Sequence, residues 1–334
     1  MGNEVIGILG GGSWGTTLAN LASRSGQPVR LWMRDTALAD AINSTRMNEK
    51  YWPGFKLGDT IHATADLKET ADAACFIIIA VPSHAFRKIA RDLGDHIGGD
   101  HILVHATKGF ELDSLKRMSE ILKEETSARR IGALSGPNIA EEIINGHPAA
   151  TVVASRYTEV IERAQAALVS DVFRVYGNRD LIGVEIAGAL KNIMALCSGM
   201  LYGLNYGASS AAMLITRGIV EMQRLGIALG ADALTFAGLS GLGDMIATCM
   251  SSLSRNYQTG FRLSKGEKLE DITKSLKRTV EGIRTTKVAH ELARCTKVEM
   301  PIVQGAHAIL YENADITKAL QFLMTRRAGY EIDF

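Results

Sequence analysis

Charge of one sign is what this chain most clearly lacks. Its 334 residues carry 37 Lys and Arg against 36 Asp and Glu, a formal net charge of +1. A balance this even projects no long-range field toward nucleic acid or an anionic membrane, so a phosphorylated ligand has to be held by locally placed cations. Cysteine is scarce too. Cys75, Cys197, Cys249 and Cys295 are widely scattered in apolar surroundings with no C-x-x-C pair, and are expected to be reduced core residues of a cytosolic protein. There is no H-E-x-x-H, no Cys/His cluster and no nucleophile elbow, so neither a metal centre nor a Ser-His-Asp triad is expected. His101 and His105 have a zinc-like spacing, but the intervening Ile102-Leu103-Val104 is strand-forming, and a strand holds such residues about 13 Å apart. The N-terminus reaches an apolar strand within a few residues, which leaves no room for a signal or transit peptide. No segment is expected to approach the ~18 apolar residues of a membrane span, and the expected location is cytoplasmic.

A hydrophobic fraction of 46% and a charged fraction of 22% belong to an ordinary globular protein, and the length exceeds one typical core. Two domains are therefore expected. The most informative stretch is the start, where Val5-Ile6-Gly7-Ile8-Leu9 runs into Gly10-Gly11-Gly12-Ser13-Trp14-Gly15 and then an amphipathic segment. Strand, G-x-G-x-x-G turn and helix in that order form a dinucleotide site: Gly10 permits the turn, Gly12 lets backbone approach a pyrophosphate, and Gly15 lets helix pack on strand. The second strand, from Val29, ends at Arg34, nineteen residues after Gly15. An Asp or Glu there would accept from the ribose hydroxyls of NAD, whereas an Arg pairs with a 2′-phosphate and favours NADP(H). Asp35 next door keeps NAD(H) open.

Further along, 43–58 reads as a loop region, and apolar runs at Cys75–Val81 and Ile102–Ala106 read as strands buried on both faces. Further strands are expected at 131–134, 150–153 and 173–176, with helices at 85–93, 115–125, 157–168 and a short one through Ile143. Strands alternating with helices predict a doubly wound parallel sheet, α/β in class, with ligands at the carboxyl ends of its strands. The Lys108 and Asn138 turns are two such ends. From about Asp180 the pattern becomes all-helical, which sets the expected domains at 1–180 and 181–334.

Within the helical part Lys191 stands out as a lone cation in the apolar run Val184–Leu196, beside the small residues Ala187, Gly188 and Ala195. A buried ammonium needs an anion or a task. Two clusters compete to supply it: the glycine-dense turn Gly238–Gly243 leading to Asp244, and Ser254-Arg255-Asn256, whose hydroxyl, guanidinium and amide suit a phosphate's oxygens.

Taken together, Gly10–Gly15, Ser135-Gly136-Pro137-Asn138, Ala189-Leu190-Lys191-Asn192, Ala237–Asp244, Ser254-Arg255-Asn256 and Val280-Glu281-Gly282 make a chain that resembles NAD(P)-dependent glycerol-3-phosphate dehydrogenases of the prokaryotic type over nearly its whole length. Departures fall at Asn138, where many members carry Ser or Thr, and at Ser240. The resemblance implies a Rossmann-type domain followed by a helical substrate domain, and reversible reduction of dihydroxyacetone phosphate to sn-glycerol 3-phosphate for phospholipid synthesis. It implies Lys191 as proton donor and acceptor. Lys108, Gly136, Asn138, Asp244, Ser254, Arg255 and Asn256 would join Lys191 at the substrate, and Ser13, Trp14, Arg34, Lys108, Ala140, Arg255 and Glu281 would contact NADP(H) or NAD(H) beside the Gly10, Gly12 and Gly15 turn. No nucleic-acid or membrane partner is expected, and a homodimer is compatible with it. The residues alone leave open a 3-hydroxy acid or ketopantoate-type dehydrogenase, with a carboxylate clamp in place of a phosphate clamp. A dinucleotide sensor without turnover is a further reading, against which Lys191 speaks.

Overall fold

The computed structural model describes residues 4–276 and 279–327; the last seven positions of the expected second domain lie outside the described residues. Its sheet begins with β1 (Ile6–Leu9), all four residues of which are buried. A strand apolar on both faces needs cover on both sides. The remaining strands are β2 (Val29–Trp32), β3 (Ile61–Thr64), β4 (Phe76–Ile79), β5 (Ile102–His105), β6 (Arg130–Ser135), β7 (Ala149–Ala154) and β8 (Phe173–Asn178), in the order β3-β2-β1-β4-β5-β6-β7-β8. Ile78 faces one core layer while Ile77 and Ile79 face the other. Helices α1 (Ser13–Arg24), α2 (Thr36–Thr45), α3 (Leu67–Ala73), α4 (Ser83–Gly94), α5 (Met118–Glu125), α6 (Ala140–Ile144) and α7 (Thr158–Leu168) supply the cover.

The expected doubly wound parallel sheet is present, with one antiparallel pairing. β1 to β6 are parallel, but β7 runs antiparallel to β6, and β8 then pairs parallel with β7. The chain turns back at Gly136, where φ is +151°, and α6 between the strands has five residues, too short for a crossover helix spanning the sheet. A second difference lies between Arg34 and Cys75, where the sequence is read only at 43–58, as a loop region. Two helices and an edge strand sit there. β3 is four residues long with His62 exposed, so its apolar pattern is too brief to read; α3 is announced by Asp66, whose carboxylate accepts from Lys68 N and Glu69 N.

After β8 the described residues contain helices and turns: α8 (Leu181–Gly203), α9 (Ala208–Ala228), α10 (Asp244–Met250), α11 (Arg255–Ser264), α12 (Leu269–Leu276), α13 (Glu281–Thr296), α14 (Pro301–Tyr311) and α15 (Ile316–Thr325). Asp180 caps α8 by accepting from Gly183 N. Contrary to expectation, α8 is long and apolar enough to cross a membrane, with a mean hydropathy of 1.5 over its most apolar window. Counting uninterrupted apolar residues misses it because Glu185, Lys191 and Asn192 break the run. Of that window 89% is buried inside the protein, with α9, α10, α11 and α13 packed around the helix, as befits a core helix.

The expectation for the cysteines holds in part. All four are free thiols and Cys249 is buried, but Cys75 and Cys295 are exposed. Cys75 precedes β4 outside the sheet and Cys295 lies in the last turn of α13, so an apolar sequence neighbourhood did not mean an inward direction.

Candidate active site

The groups with chemistry lie at carboxyl ends of the strands: the glycine turn after β1, Lys108 after β5 and Gly136 after β6, the last two beside α8 and α10. The glycine turn after β1 shows each of the three expected constraints. Gly10 has φ +125°, and a Cβ there would lie 2.4 Å from Ala80 O; at Gly15 it would lie 1.8 Å from Gly10 O. A Cβ on Gly12 would meet nothing within 4 Å. That open space lies at the N-terminus of α1, whose first N–H groups have no side-chain cap, so it forms a cradle for pyrophosphate oxygens and the residues fit a dinucleotide. Asn48, which sequence reasoning left in a loop, braces the turn by donating to Gly11 O at 3.1 Å and Thr16 Oγ1 at 2.9 Å. Nothing in the sequence marks it. Trp52 Nε1 donates to Ser13 O at 3.1 Å, and Trp14 packs against the core beside it.

Arg34 is exposed just past the end of β2. Its neighbour Asp35 caps α2 by accepting from Leu38 N at 3.1 Å and pairs with Lys50 at 3.2 Å; both contacts hold its carboxyl below the usual range. Asp35 is thus engaged with α2 and Lys50.

Lys191, Lys108 and Asp244 come together. Lys191 Nζ donates to Asp244 Oδ1 and to Thr248 Oγ1, each at 2.6 Å, while Lys108 Nζ donates to Asp244 Oδ2 and, at 3.0 Å, to Gly136 O. Side-chain exposure is 9% for Lys191, 19% for Lys108 and 2% for Asp244. Two ammonium groups therefore share one buried carboxylate. Burial raises the Asp244 pKa, but the charges of Lys108 and Lys191 outweigh it and hold the carboxyl below its ordinary value. Lys108 goes down to about 8, because burial and repulsion from Lys191 exceed the attraction of Asp244. Both shifts describe a charged cluster in which Lys108 has a loosened proton.

Local sequence explains this convergence. The turn Leu239–Gly243 is a π-helical turn in which a Cβ on Gly241 would sit 2.1 Å from Phe236 O, so only glycine fits and Asp244 is delivered to the start of α10. Asp244 is the expected partner of Lys191 rather than a cap: Gly243 is the N-cap and the carboxylate turns to the lysines. Gly188 is the small neighbour that matters, since a Cβ there would lie 2.6 Å from Ser135 Oγ and 3.6 Å from Lys108 Cγ. Ser135 Oγ itself is buried without a hydrogen-bond partner. Thr248 was missed, although it lies one turn beyond Asp244 and so shares its helix face.

Ser254-Arg255-Asn256 is the cap and first turn of α11, a helix that the sequence reading overlooked. Ser254 Oγ accepts from Tyr257 N, and Arg255 Nη1 donates to Thr279 O at 2.9 Å. Asn256 donates to Asn192 Oδ1 and accepts from Gly282 N, both at 2.9 Å, so its amide ties α11 to α8 and α13. Asn138 is similarly occupied: it donates to Ala150 O at 3.1 Å and accepts from Thr151 Oγ1 at 2.8 Å. Ala140 opens α6. Glu281 reaches across to α4, accepting from Ser83 N at 3.2 Å and Ser83 Oγ at 2.6 Å. No group of three or more metal-ligating side chains occurs among the described residues. A cavity of about 420 Å³ lies elsewhere, among α8, α9, α14 and α15; it is lined mainly by apolar side chains and holds none of these lysines.

The chain is similar to known proteins from end to end. Residues 5–161 match the model of the NAD-dependent glycerol-3-phosphate dehydrogenase N-terminus, and residues 180–321 that of its C-terminus. A glycerol-3-phosphate dehydrogenase [NAD(P)+] of Moorella thermoacetica is 44% identical over 330 residues, covering 99% of this chain and 98% of the relative. The crystal structure of a glycerol-3-phosphate dehydrogenase from Coxiella burnetii superposes with a TM-score of 0.92 at 35% identity, covering 97% of this chain and 99% of that one. A ketopantoate reductase from Ralstonia eutropha shares the fold alone, at 14% identity and a TM-score of 0.59.

Gly12 and Gly15 separate the two roles of the turn. Gly15→Ala is expected to lower the melting temperature by several degrees, because its Cβ collides with backbone, whereas Gly12→Ala should melt within about a degree of wild type yet bind NADPH at least tenfold more weakly. Thermal melts and NADPH fluorescence titration check both; unaltered NADPH affinity in Gly12→Ala removes the cradle.

Proposed function

Because the chain belongs to the NAD-dependent glycerol-3-phosphate dehydrogenase family, we propose that it reduces dihydroxyacetone phosphate to sn-glycerol 3-phosphate with NADPH or NADH, reversibly, in support of glycerophospholipid synthesis. The observation that carries the reading is the pair of ammonium groups on Asp244 at the end of the dinucleotide-binding sheet. A bound nicotinamide supplies the hydride that the ketone carbon receives. Lys191 gives its proton to the carbonyl oxygen as negative charge develops there, and in the reverse direction its neutral amine accepts one. Asp244 orients that ammonium, and Thr248 Oγ1 fixes its second hydrogen bond.

With one carboxylate between two ammonium groups the cluster is a net cation, which suits a substrate that brings a phosphate and develops an oxyanion. Arg255 and the backbone at the start of α11 bind the phosphate away from the reacting carbon, so that remote binding energy orients the ketone. The α11 backbone and Ser254 make this contact in preference to the Asn256 amide, which is held by Asn192 and Gly282. Glu281, Ala140, Trp14 and Ser13 are assigned to the cofactor side. Arg34 reads the adenosine 2′ position, and the engagement of Asp35 with α2 and Lys50 favours NADP(H) over NAD(H). The division between a cofactor domain and a substrate domain is drawn at 180/181, where Asp180 caps α8. Cytoplasmic location and a homodimeric assembly complete the reading.

The direct test is loss of NADPH absorbance with dihydroxyacetone phosphate, compared with hydroxypyruvate and ketopantoate. Dihydroxyacetone phosphate alone should be turned over efficiently; preference for ketopantoate contradicts the reading. Lys191→Ala should lower kcat by about a hundredfold or more, the scale of a lost general acid, while NADPH still binds. Near-normal kcat in that variant removes Lys191 from the mechanism.

Arg34→Ala should raise the KM for NADPH about tenfold, the equivalent of one contact at ~1.4 kcal/mol, and leave that for NADH within about twofold. Initial rates with the two cofactors decide it. Equal losses show that Arg34 does not read the 2′ position.

A further inference from the structure

A second buried charge cluster lies beside the lysines. His105, at the end of β5, and Glu185, on α8, are each 3% exposed in their side chains, with His105 Nε2 3.0 Å from Glu185 Oε1. Glu185 Oε1 also accepts from Ser119 N at 2.8 Å, and Oε2 accepts from Ser119 Oγ and Arg117 Nη1, each at 2.6 Å. Arg117 and Ser119 open α5, and Arg117 Nη2 also pairs with Glu120 at 3.0 Å. The edge of Phe86 on α4 closes the remaining side, its ring centroid 5.9 Å from that of His105. Burial alone would raise the Glu185 pKa, but His105, Arg117 and Ser119 bring it down to about 2.

The His105 ring has a second bond. Nδ1 lies 3.2 Å from Thr107 O, and since a carbonyl oxygen only accepts, that nitrogen donates. Thr107 immediately precedes Lys108, and its own hydroxyl donates to Val81 O at 2.6 Å. Glu185 lies six residues before Lys191 on the same unbroken helix, a rise of about 9 Å. The chain Lys108, Thr107, His105, Glu185, α8, Lys191 is therefore a closed rigid path running parallel to the direct one through Asp244. The Glu185 carboxylate carries four donors and reaches from the central helix of one layer to β5 and the start of α5 in the other.

We propose that His105 and Glu185 form a positioning link that fixes the Lys108 loop against α8 and thereby sets the placement of Lys108 relative to Lys191. The proposal rests on the dehydrogenase reading for its consequence in turnover, but not for its effect on Lys108. Neither residue touches substrate. Without the link the loop after β5 keeps the packing of Phe110 against α8 and the Lys108–Asp244 pair to α10, but Thr107 and Lys108 lose their polar anchor to α8, water gains access to the ammonium, and the burial that depresses Lys108 weakens.

The test uses Glu185→Gln, with Arg117→Lys as the control that keeps a cation on Glu185 and leaves the His105 bond in place. Lys108 is read directly by the pH dependence of its competitive acetylation with acetic anhydride, followed by peptide mass spectrometry. In wild type the midpoint should fall near 8; in Glu185→Gln it should rise by at least half a pH unit, and in Arg117→Lys it should stay. Well below the melting temperature, Glu185→Gln should lower kcat for dihydroxyacetone phosphate at least tenfold with NADPH affinity within twofold, and Arg117→Lys should stay within threefold of wild type despite a similar drop in melting temperature. Should Glu185→Gln not fold, His105→Gln, which leaves Glu185 its Arg117 and Ser119 donors, must show the same upward movement. An unmoved Lys108 midpoint, or kcat falling in both variants in proportion to melting temperature, overturns the positioning role. A moved midpoint in an enzyme that does not turn over dihydroxyacetone phosphate indicts the substrate assignment and leaves the link standing.

Discussion

One carboxylate shared between two ammonium groups is the interaction on which the rest of this structure depends. Asp244 is 2% exposed, and a carboxylate taken from water at that depth is costly unless it is paired and hydrogen-bonded. Lys108 arrives from the sheet and Lys191 from α8, so the pair of contacts that neutralises Asp244 also joins the two layers. Removing one partner of such a cluster leaves an uncompensated buried charge, typically worth about 3 to 5 kcal/mol. On the proposed function, stability and catalysis are thereby coupled in the same three side chains.

The surrounding fold reads as a set of devices for letting this cluster close. Glycine at 188 allows β6 and Lys108 to approach α8, and glycine at 241 allows the π turn that delivers Asp244. Asn256 and Asn192 hold α11 to α8 beside Lys191, so the helix start proposed to face the phosphate and the lysine proposed to move the proton are parts of one unit. Glu281 connects the other layer through Ser83. Close approach is bought with glycine and fixed with buried hydrogen bonds.

Much of this was legible in the sequence, for physical reasons that differ from element to element. The first turn could be read because its three glycines each answer a separate steric demand, and β4 and β5 because a strand buried on both faces leaves a continuous apolar run. Lys191 was legible as an anomaly, a cation in an apolar helix. β3 and α3 were not, being short and partly exposed, and the antiparallel β7 was not, because direction is set by the length of a connection rather than by the strand's own residues. The side chains of Asn138 and Asn256 were read as contacts to ligand, yet their amides brace backbone and neighbouring helices. Asn48 and the His105–Glu185 pair were invisible for a common reason: each acts through a partner distant in sequence, and no local spacing records that; Thr248 had a local signal in its i, i+4 spacing from Asp244.

The central claim is that Asp244 orients both lysines and keeps Lys108 charged, and the pH profile of Asp244→Asn tests it most directly. In wild type kcat/KM for dihydroxyacetone phosphate should decline above about pH 8 as Lys108 gives up its proton. Asp244 is the partner that raises Lys108, so its neutralisation should carry that decline to lower pH and reduce kcat/KM at pH 7 by at least a hundredfold. A profile with its alkaline limb still near pH 8 and kcat/KM within threefold of wild type would contradict the account.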